Sequence, residues 1–372
     1  MKKIQMVDLH SQYLHIKPMI DKGIQDVIDS CAFINGPAVK NFQEGLEKYL
    51  GIKHVIPCAN GTDALQVSMM ALGLQPGDEV ITTSFTFIAT AEVIALLKLT
   101  PVLVDVDPGT FNIDLKAIER AITPKTKAIV PVHLFGQCAP MEEIMALAKK
   151  HNLFVIEDNC QAIGSDYIFN DGSRKKGGTI GHIGCTSFFP SKNLGCYGDG
   201  GAVVAPSQAV ALRLKMLRNY GQQRRYYHEI KGVNSRLDEL QAGILSAKLP
   251  LLDGWTTRRR EIARMYDEQI SDPDVAKPPL EDSARHVFHL YVLRHPQRDR
   301  LMSHLEQCGV GVAAHYPVPI HLQHAYADLG LGLGAFPVAE TAASQVVSLP
   351  IFPQLTDDEV AYVAECVDSF GG

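Results

Sequence analysis

Lys192 stands in the run Ser187-Phe188-Phe189-Pro190-Ser191-Lys192-Asn193-Leu194-Gly195, which continues through Gly198 to Gly200-Gly201, so one amine has apolar residues before it and glycines after it. Burial among apolar neighbours disfavours an ammonium ion, and a lysine held that way sheds its proton and can form a Schiff base. Glycines beyond it let backbone approach a bound group closely. Taken alone the run reads more readily as a surface lysine before a turn, and two further segments bear on it. Asn60-Gly61-Thr62-Asp63-Ala64-Leu65 closes a loop and opens a helix whose apolar face is Leu65, Met69 and Leu72. Free amides at a helix start, a glycine and a threonine hydroxyl suit a phosphate, although Asn60 or Thr62 could be a plain N-cap. Val155-Ile156-Glu157-Asp158-Asn159-Cys160-Gln161 puts acids at the C-terminal end of an apolar strand, the edge of an α/β sheet where ligands bind. Asp158 needs a cation if it is buried, and its plainer reading is a cap on the next helix.

A phosphate cradle, an acid at a strand end and, some thirty residues later, a lysine in a glycine-rich segment are together what pyridoxal 5'-phosphate requires. Its phosphate must be anchored, its ring nitrogen kept protonated and its aldehyde held by an amine. The combination outweighs the plain reading of each part.

The elements that must position these residues are alternating ones. Apolar runs at 54–56, 79–82, 102–106, 128–132, 154–156, 186–189 and 202–204 read as strands, and Thr62 to Leu72, Ile88 to Leu97, Leu115 to Ala121 and Met141 to His151 as helices. That alternation predicts an α/β domain with a mainly parallel seven-stranded sheet covered on both faces. The pattern changes after about Pro250: a charged helix from Thr256 to Ile270, a strand-like 286–293, a helix from Arg298 to Gln307, a strand near 310–314 and a last helix from Asp357 to Ser369 predict a smaller α+β domain. The expected division is therefore 1–250, an N-terminal arm with the large domain, and 251–372.

The segments Gly61 to Leu65, Glu157 to Ala162, Phe188 to Gly195 with Gly200-Gly201-Ala202, and Asn234-Ser235-Arg236-Leu237-Asp238-Glu239-Leu240-Gln241-Ala242 resemble those of the DegT/StrS family of nucleotide-sugar aminotransferases, nearly end to end from Val7-Asp8-Leu9 to Ser348-Leu349-Pro350. The resemblance implies the fold type I architecture of aspartate-aminotransferase-like enzymes, with pyridoxal 5'-phosphate as cofactor. It also implies roles: Lys192 as the Schiff-base lysine and the mobile acid and base, Asp158 against the pyridinium, Gln161 near the ring oxygen, Phe87 stacked on the ring, and Gly61, Thr62, Asp63 and Ser187 around the phosphate, with Asn234 arriving from the neighbouring subunit of a homodimer with shared sites. Arg236, His315 and Tyr316 would meet the sugar nucleotide; Arg236 could instead pair with Asp238 or Glu239, and His315-Tyr316 could merely begin a loop stiffened by Pro317 and Pro319. Through Thr186 to Lys192 and His315-Tyr316-Pro317 the chain most resembles family members acting at C3 of a UDP-2-acetamido-2-deoxy-3-oxo-hexuronate, so UDP is expected ahead of dTDP, with L-glutamate as amino donor. Sugar dehydratases of the same fold are similar but carry histidine where this chain has Lys192. Amino transfer to a dTDP-3-keto-6-deoxyhexose or a UDP-4-keto-hexose is compatible with the same resemblance, as is a non-catalytic cofactor-binding regulator. Asn159-Cys160 departs from the Ala-Ala of many relatives.

Composition narrows the rest. The 372 residues are 46% hydrophobic and 20% charged, ordinary for a globular protein. With 35 basic against 41 acidic residues and no basic stripe, nucleic acid is not an expected partner. Arg258-Arg259-Arg260 reads as the solvated face of a helix. Polar residues interrupt the start too early for a signal peptide and no window approaches a span of about 20 apolar residues, so a cytoplasmic location is expected. The eight cysteines form no Cys-x-x-Cys pair, and neither His286/His289 nor His321/His324 has a nearby carboxylate arrangement typical of a metal site, so no metal is expected. No G-x-G-x-x-G follows an early strand, which disfavours a nicotinamide cofactor.

Overall fold

Short runs rich in Val and Ile can bury both faces only if a sheet has helices on each side. In the computed structural model, which describes residues 3–279 and 283–371, seven such runs form one sheet. They are β1 (Val55–Cys58), β2 (Glu79–Thr83), β3 (Thr100–Val104), β4 (Thr126–Val130), β5 (Phe154–Asp158), β6 (Ile183–Ser187) and β7 (Gly201–Val204). Their order across the sheet is β1-β7-β6-β5-β4-β2-β3. Only β7 breaks the parallel arrangement, running antiparallel to both β1 and β6.

Successive strand residues face opposite sides, and the two faces carry separate cores. On one, Ile56, Val80, Ile156 and Val203 pack against Leu65 and Met69 of helix α3 (Gly61–Leu72), Ile94 and Leu214. On the other, Ile81, Ile129 and Val155 meet Ile118 and Ile144, while Val55, Ala202 and Val204 meet Phe42, Leu46 and Leu245. Helices Leu115–Ala121, Met141–His151 and Arg298–Gln307 occupy the bounds that their apolar spacing predicts.

A further core gathers Ile262 and Tyr266 of helix Leu252–Gln269, Leu301 and Leu305, Val360 and Val363 of helix Asp357–Asp368, and the antiparallel pair Tyr291–Arg294 with Val346–Leu349. Thr356 and Glu359 close a capping box at the start of the last helix. Two expectations from the sequence change here. The strand near 310–314 is reduced to isolated bridges, Ile4 with Val310 and Ala313 with Ser348. Its place is taken by Val346–Leu349, which follows helix Pro337–Gln345 with no turn residue to announce it. Arg259 is no solvated helix residue: it is 3% exposed, and its Nη1 donates to the carbonyls of Phe288 at 3.0 Å and Ile351 at 2.6 Å. A guanidinium buried at an irregular backbone stretch satisfies carbonyls that no strand reaches. Among the described residues no helix is long and apolar enough to cross a membrane.

Candidate active site

A cavity of about 600 Å³ opens at the C-terminal ends of β1, β2, β5 and β6. Helix α3 begins at its wall. Asn60 caps that helix by accepting the Asp63 N–H at 2.7 Å, which leaves the first amides, of Gly61 and Thr62, without acceptors inside the helix. A Cβ on Gly61 would lie 2.7 Å from Ser187 Cβ and 2.8 Å from Cys160 Sγ, so this corner admits no side chain. Ser187 Oγ accepts the Phe189 N–H at 3.3 Å and keeps its own proton to donate.

Pleating separates the two acids at the end of β5. Glu157, fully buried, accepts N–H groups of Gly178, Ile180 and Gly181 and meets His133 Nε2 at 2.9 Å, and so fixes the turn ahead of β6. Asp158, 5% exposed, faces the cavity. Its Oδ2 accepts the Thr90 hydroxyl at 2.7 Å and its Oδ1 the Cys160 N–H at 3.2 Å. Gln161 is held on both ends of its amide: Oε1 accepts the Phe135 N–H at 2.9 Å and Nε2 donates to the Tyr316 hydroxyl at 3.1 Å. One N–H of that amide remains for a ligand.

Lys192 reaches the same cavity, with its Nζ 3.4 Å from His289 Nε2. Burial pushes its pKa below the ordinary lysine range, against an opposing pull from Cys160 and Asp158. Burial likewise keeps His315 neutral, its pKa brought down to about 4 with Lys192 adding to the effect, and its Nδ1 lies 2.8 Å from Ser348 Oγ. Tyr316 and Phe87 stand side by side with ring centroids 6.0 Å apart, Phe87 being 54% exposed.

Of the residues that the sequence singles out, Gly61, Thr62, Asp63, Phe87, Asp158, Gln161, Ser187, Lys192, His315 and Tyr316 all line this cavity. Asn234 and Arg236 do not line it, and Arg236 forms no ion pair with Asp238 or Glu239 among the described residues. Glu239 is instead buried, accepting the N–H groups of Gly36, Ala38 and Val39. Thr90, Asp199 and His289 also line the cavity, and the sequence does not mark them as site residues. His289 stands out only as one of two histidines three apart, a pair from which no metal site is expected; Thr90, inside an apolar helix, carries no signal.

Residues 15–368 match the DegT/DnrJ/EryC1/StrS aminotransferase family. The chain belongs to that family. It is 46% identical over 371 residues to a "Pleiotropic regulatory protein" of Geobacillus stearothermophilus, covering 99% of this chain and 98% of that one. To the UDP-2-acetamido-2-deoxy-3-oxo-D-glucuronate aminotransferase of Pseudomonas aeruginosa it is 45% identical, covering 95% and 96%. The crystal structure of S. venezuelae DesV, in complex with a ketimine intermediate, superposes with a TM-score of 0.96 at 39% identity, covering 100% of this chain and 99% of that one. The Bacillus subtilis protein NtdA, 31% identical, holds pyridoxamine phosphate as its cofactor, with a TM-score of 0.90 over 100% of this chain and 85% of that one. The present chain is thus an aminotransferase of fold type I, and its cofactor is pyridoxal 5'-phosphate. The cavity suits that group: it offers a corner at Gly61 that only a close-approaching ligand can use, a buried carboxylate with no ion-pair partner among the described residues, and an amine depressed by burial.

Proposed function

We propose that this aminotransferase moves the amino group of L-glutamate to C3 of UDP-2-acetamido-2-deoxy-3-oxo-glucuronate, a step toward a surface polysaccharide, and that it does so in the cytoplasm. The observation that carries the amino-transfer reading is the convergence of Lys192, Asp158 and the α3 start on one cavity. The Pseudomonas relative supports the choice of sugar. Bound pyridoxal phosphate supplies an electron sink that renders the α-hydrogen of the donor acidic.

In this reading the residues divide the work. The amides of Gly61 and Thr62, with the hydroxyls of Thr62 and Ser187 and with Asp63 in the same turn, hold the phosphate. Asp158 would meet the protonated ring nitrogen, Gln161 would give its spare N–H to the ring oxygen, and Phe87 would cover the ring. Lys192 would tether the aldehyde and, once released, would carry a proton from the donor's α-carbon to the former aldehyde carbon. His315 and Tyr316 form the sugar wall. Asn234 and Arg236 act from a partner subunit, Asn234 on the phosphate and Arg236 on an acidic group of the substrate. Exposed apolar residues along and after helix α1 (Leu9–Ser30), among them Leu14, Met19, Phe33 and Ile34, support the homodimer that this requires. The large domain would comprise 1–250 and the small one 251–372.

Other relatives are named for dTDP-linked 3-amino sugars, which sustains a dTDP-3-keto-6-deoxyhexose as the second reading. A regulator without catalysis is the third, prompted by the Geobacillus name. Adding L-glutamate to the purified holoprotein bleaches the visible band of the cofactor if it is an aminotransferase and leaves it unchanged if it is a silent binder. Mass spectrometry of products from UDP- and dTDP-linked 3-keto and 4-keto sugars then selects the substrate; no product from the UDP uronate would remove the first choice.

A further inference from the structure

We infer that His289 is a positioning residue for the reactive amine: a neutral imidazole whose Nε2 accepts an N–H bond from Lys192, fixing where that amine points and how readily it gives up a proton. The inference rests on the amino-transfer reading for its catalytic meaning, while the contact itself stands in the protein without cofactor.

The pair is built from both sides. Asn193, next to Lys192, donates from Nδ2 to the Val287 carbonyl at 2.9 Å, so the lysine loop is pinned to the segment that carries His289. Val287 N–H bonds to the Gly136 carbonyl at 2.9 Å and Leu290 N–H to the Phe135 carbonyl at 3.3 Å. Arg259 clamps the same segment through the Phe288 carbonyl. An imidazole held this firmly, 9% exposed, presents Nε2 to Lys192 Nζ at 3.4 Å, while Nδ1 is buried with no partner among the described residues.

The surrounding charges decide its protonation state. His289 faces Lys192, Arg259, His315 and His286, with no carboxylate among them, and with burial as the larger cause its pKa sits well below the ordinary histidine value. It is therefore neutral. Lys192 in turn feels Cys160 and Asp158, and its charge bears on His289 and His315. An ammonium offers only donors, so the imidazole nitrogen facing it must be bare, with the ring proton on Nδ1. When Lys192 takes a proton from carbon, the C–H bond breaks and an N–H bond forms on Nζ, with the bonding pair left on carbon. The new ammonium keeps its bond to Nε2 and no proton passes to the ring. A hydrogen bond to the charged amine is stronger than one to the neutral amine, so the contact raises the lysine pKa from the depth to which burial alone would take it.

The test uses His289→Leu, His289→Asn and His289→Gln beside the wild type. Gln places an amide oxygen near Nε2; Asn falls short, near Nδ1. In the protein without cofactor, pH-dependent labelling of Lys192 with acetic anhydride, read by mass spectrometry of its peptide, gives the amine's midpoint. The Leu and Asn variants should move that midpoint down by about one pH unit, with Gln within a few tenths of wild type. In the holoenzyme, the acidic limb of the glutamate half-reaction should shift in the same sense, with kcat falling about tenfold and KM changing little. If the Leu variant fails to fold by circular dichroism, the contrast of Asn with Gln decides. Equal midpoints in folded Asn, Gln and wild-type proteins would overturn the inference. A wild-type protein that ignores glutamate would defeat the proposed function instead, and the labelling result would still judge the pair.

Discussion

The Thr90 hydroxyl donates to Asp158 Oδ2 at 2.7 Å, and both side chains are buried at the end of β5. A threonine from the helix after β2 thereby sets the plane of the carboxylate and leaves lone pairs on both oxygens for a cation. A buried carboxylate without one would be strained electrostatically, and in the proposed function a protonated ring nitrogen would supply the charge.

Replacing Asp158 by Asn keeps the shape and removes that charge. The glutamate half-reaction should slow by about 10²-fold or more, close to 3 kcal/mol at 1.36 kcal/mol per decade. Thr90→Val removes one neutral donor and should slow it by about fivefold. Stopped-flow absorbance measures both, and an Asp158→Asn rate within a factor of three of wild type would take the carboxylate out of the chemistry.

Lys192→Ala removes the group proposed to carry the proton. Turnover should fall by about 10³-fold or more, while phosphate and ring contacts elsewhere in the cavity keep measurable cofactor binding. Steady-state assay and equilibrium dialysis separate the two effects. Normal turnover in this variant would reassign the site.

How far the sequence foretold this arrangement depends on how local each signal is. The meeting of Lys192, Asp158 and the Asn60–Asp63 turn at one cavity is legible because each is marked by its immediate neighbours: glycines after the lysine, an apolar strand before the acid, a cap before the helix. The seven strands are legible as apolar runs, but β7 reads no differently from its parallel neighbours, since direction leaves no mark on a four-residue segment. His289 and Arg259 lie beyond such reading. Each acts across long sequence separations, Arg259 on the Ile351 carbonyl and His289 on Lys192, and Arg259 sits in an arginine triplet that looks solvent-facing. A strand beginning directly after a helix, as Val346 does after Gln345, gives no punctuation either.

Gly61→Ala tests the proposed phosphate corner by shape alone. Its methyl group would meet Ser187 Cβ at 2.7 Å and Cys160 Sγ at 2.8 Å, and relief requires moving the start of α3 or the end of β6. Overpacking of this kind costs about 1–3 kcal/mol, so cofactor affinity by fluorescence titration should weaken by about tenfold or more with global stability lowered to a similar degree. Unchanged affinity would place the phosphate elsewhere.

Acid should unfold this protein earlier than its carboxylates alone require. His286, at about 3, His315, at about 4, and His289, lower than ordinary, are all kept neutral by burial. An unfolded chain takes up protons on these rings near pH 6.5, and the folded chain refuses them. Below that pH the unfolded state therefore binds more protons, and unfolding free energy falls as pH falls, by up to about 1.4 kcal/mol per pH unit for each ring. The window runs from about 6.5 down to the folded values. His286 deepens the effect because its Nδ1 accepts the Phe288 N–H at 2.8 Å, a bond that protonation there would break. Urea unfolding at pH 7.5, 6.5, 5.5 and 4.5 should show a loss that steepens below about 6.5, and His315→Asn should flatten it by roughly one ring's share. A stability that stays level from pH 7.5 to 4.5 would mean that these rings titrate freely in the folded protein.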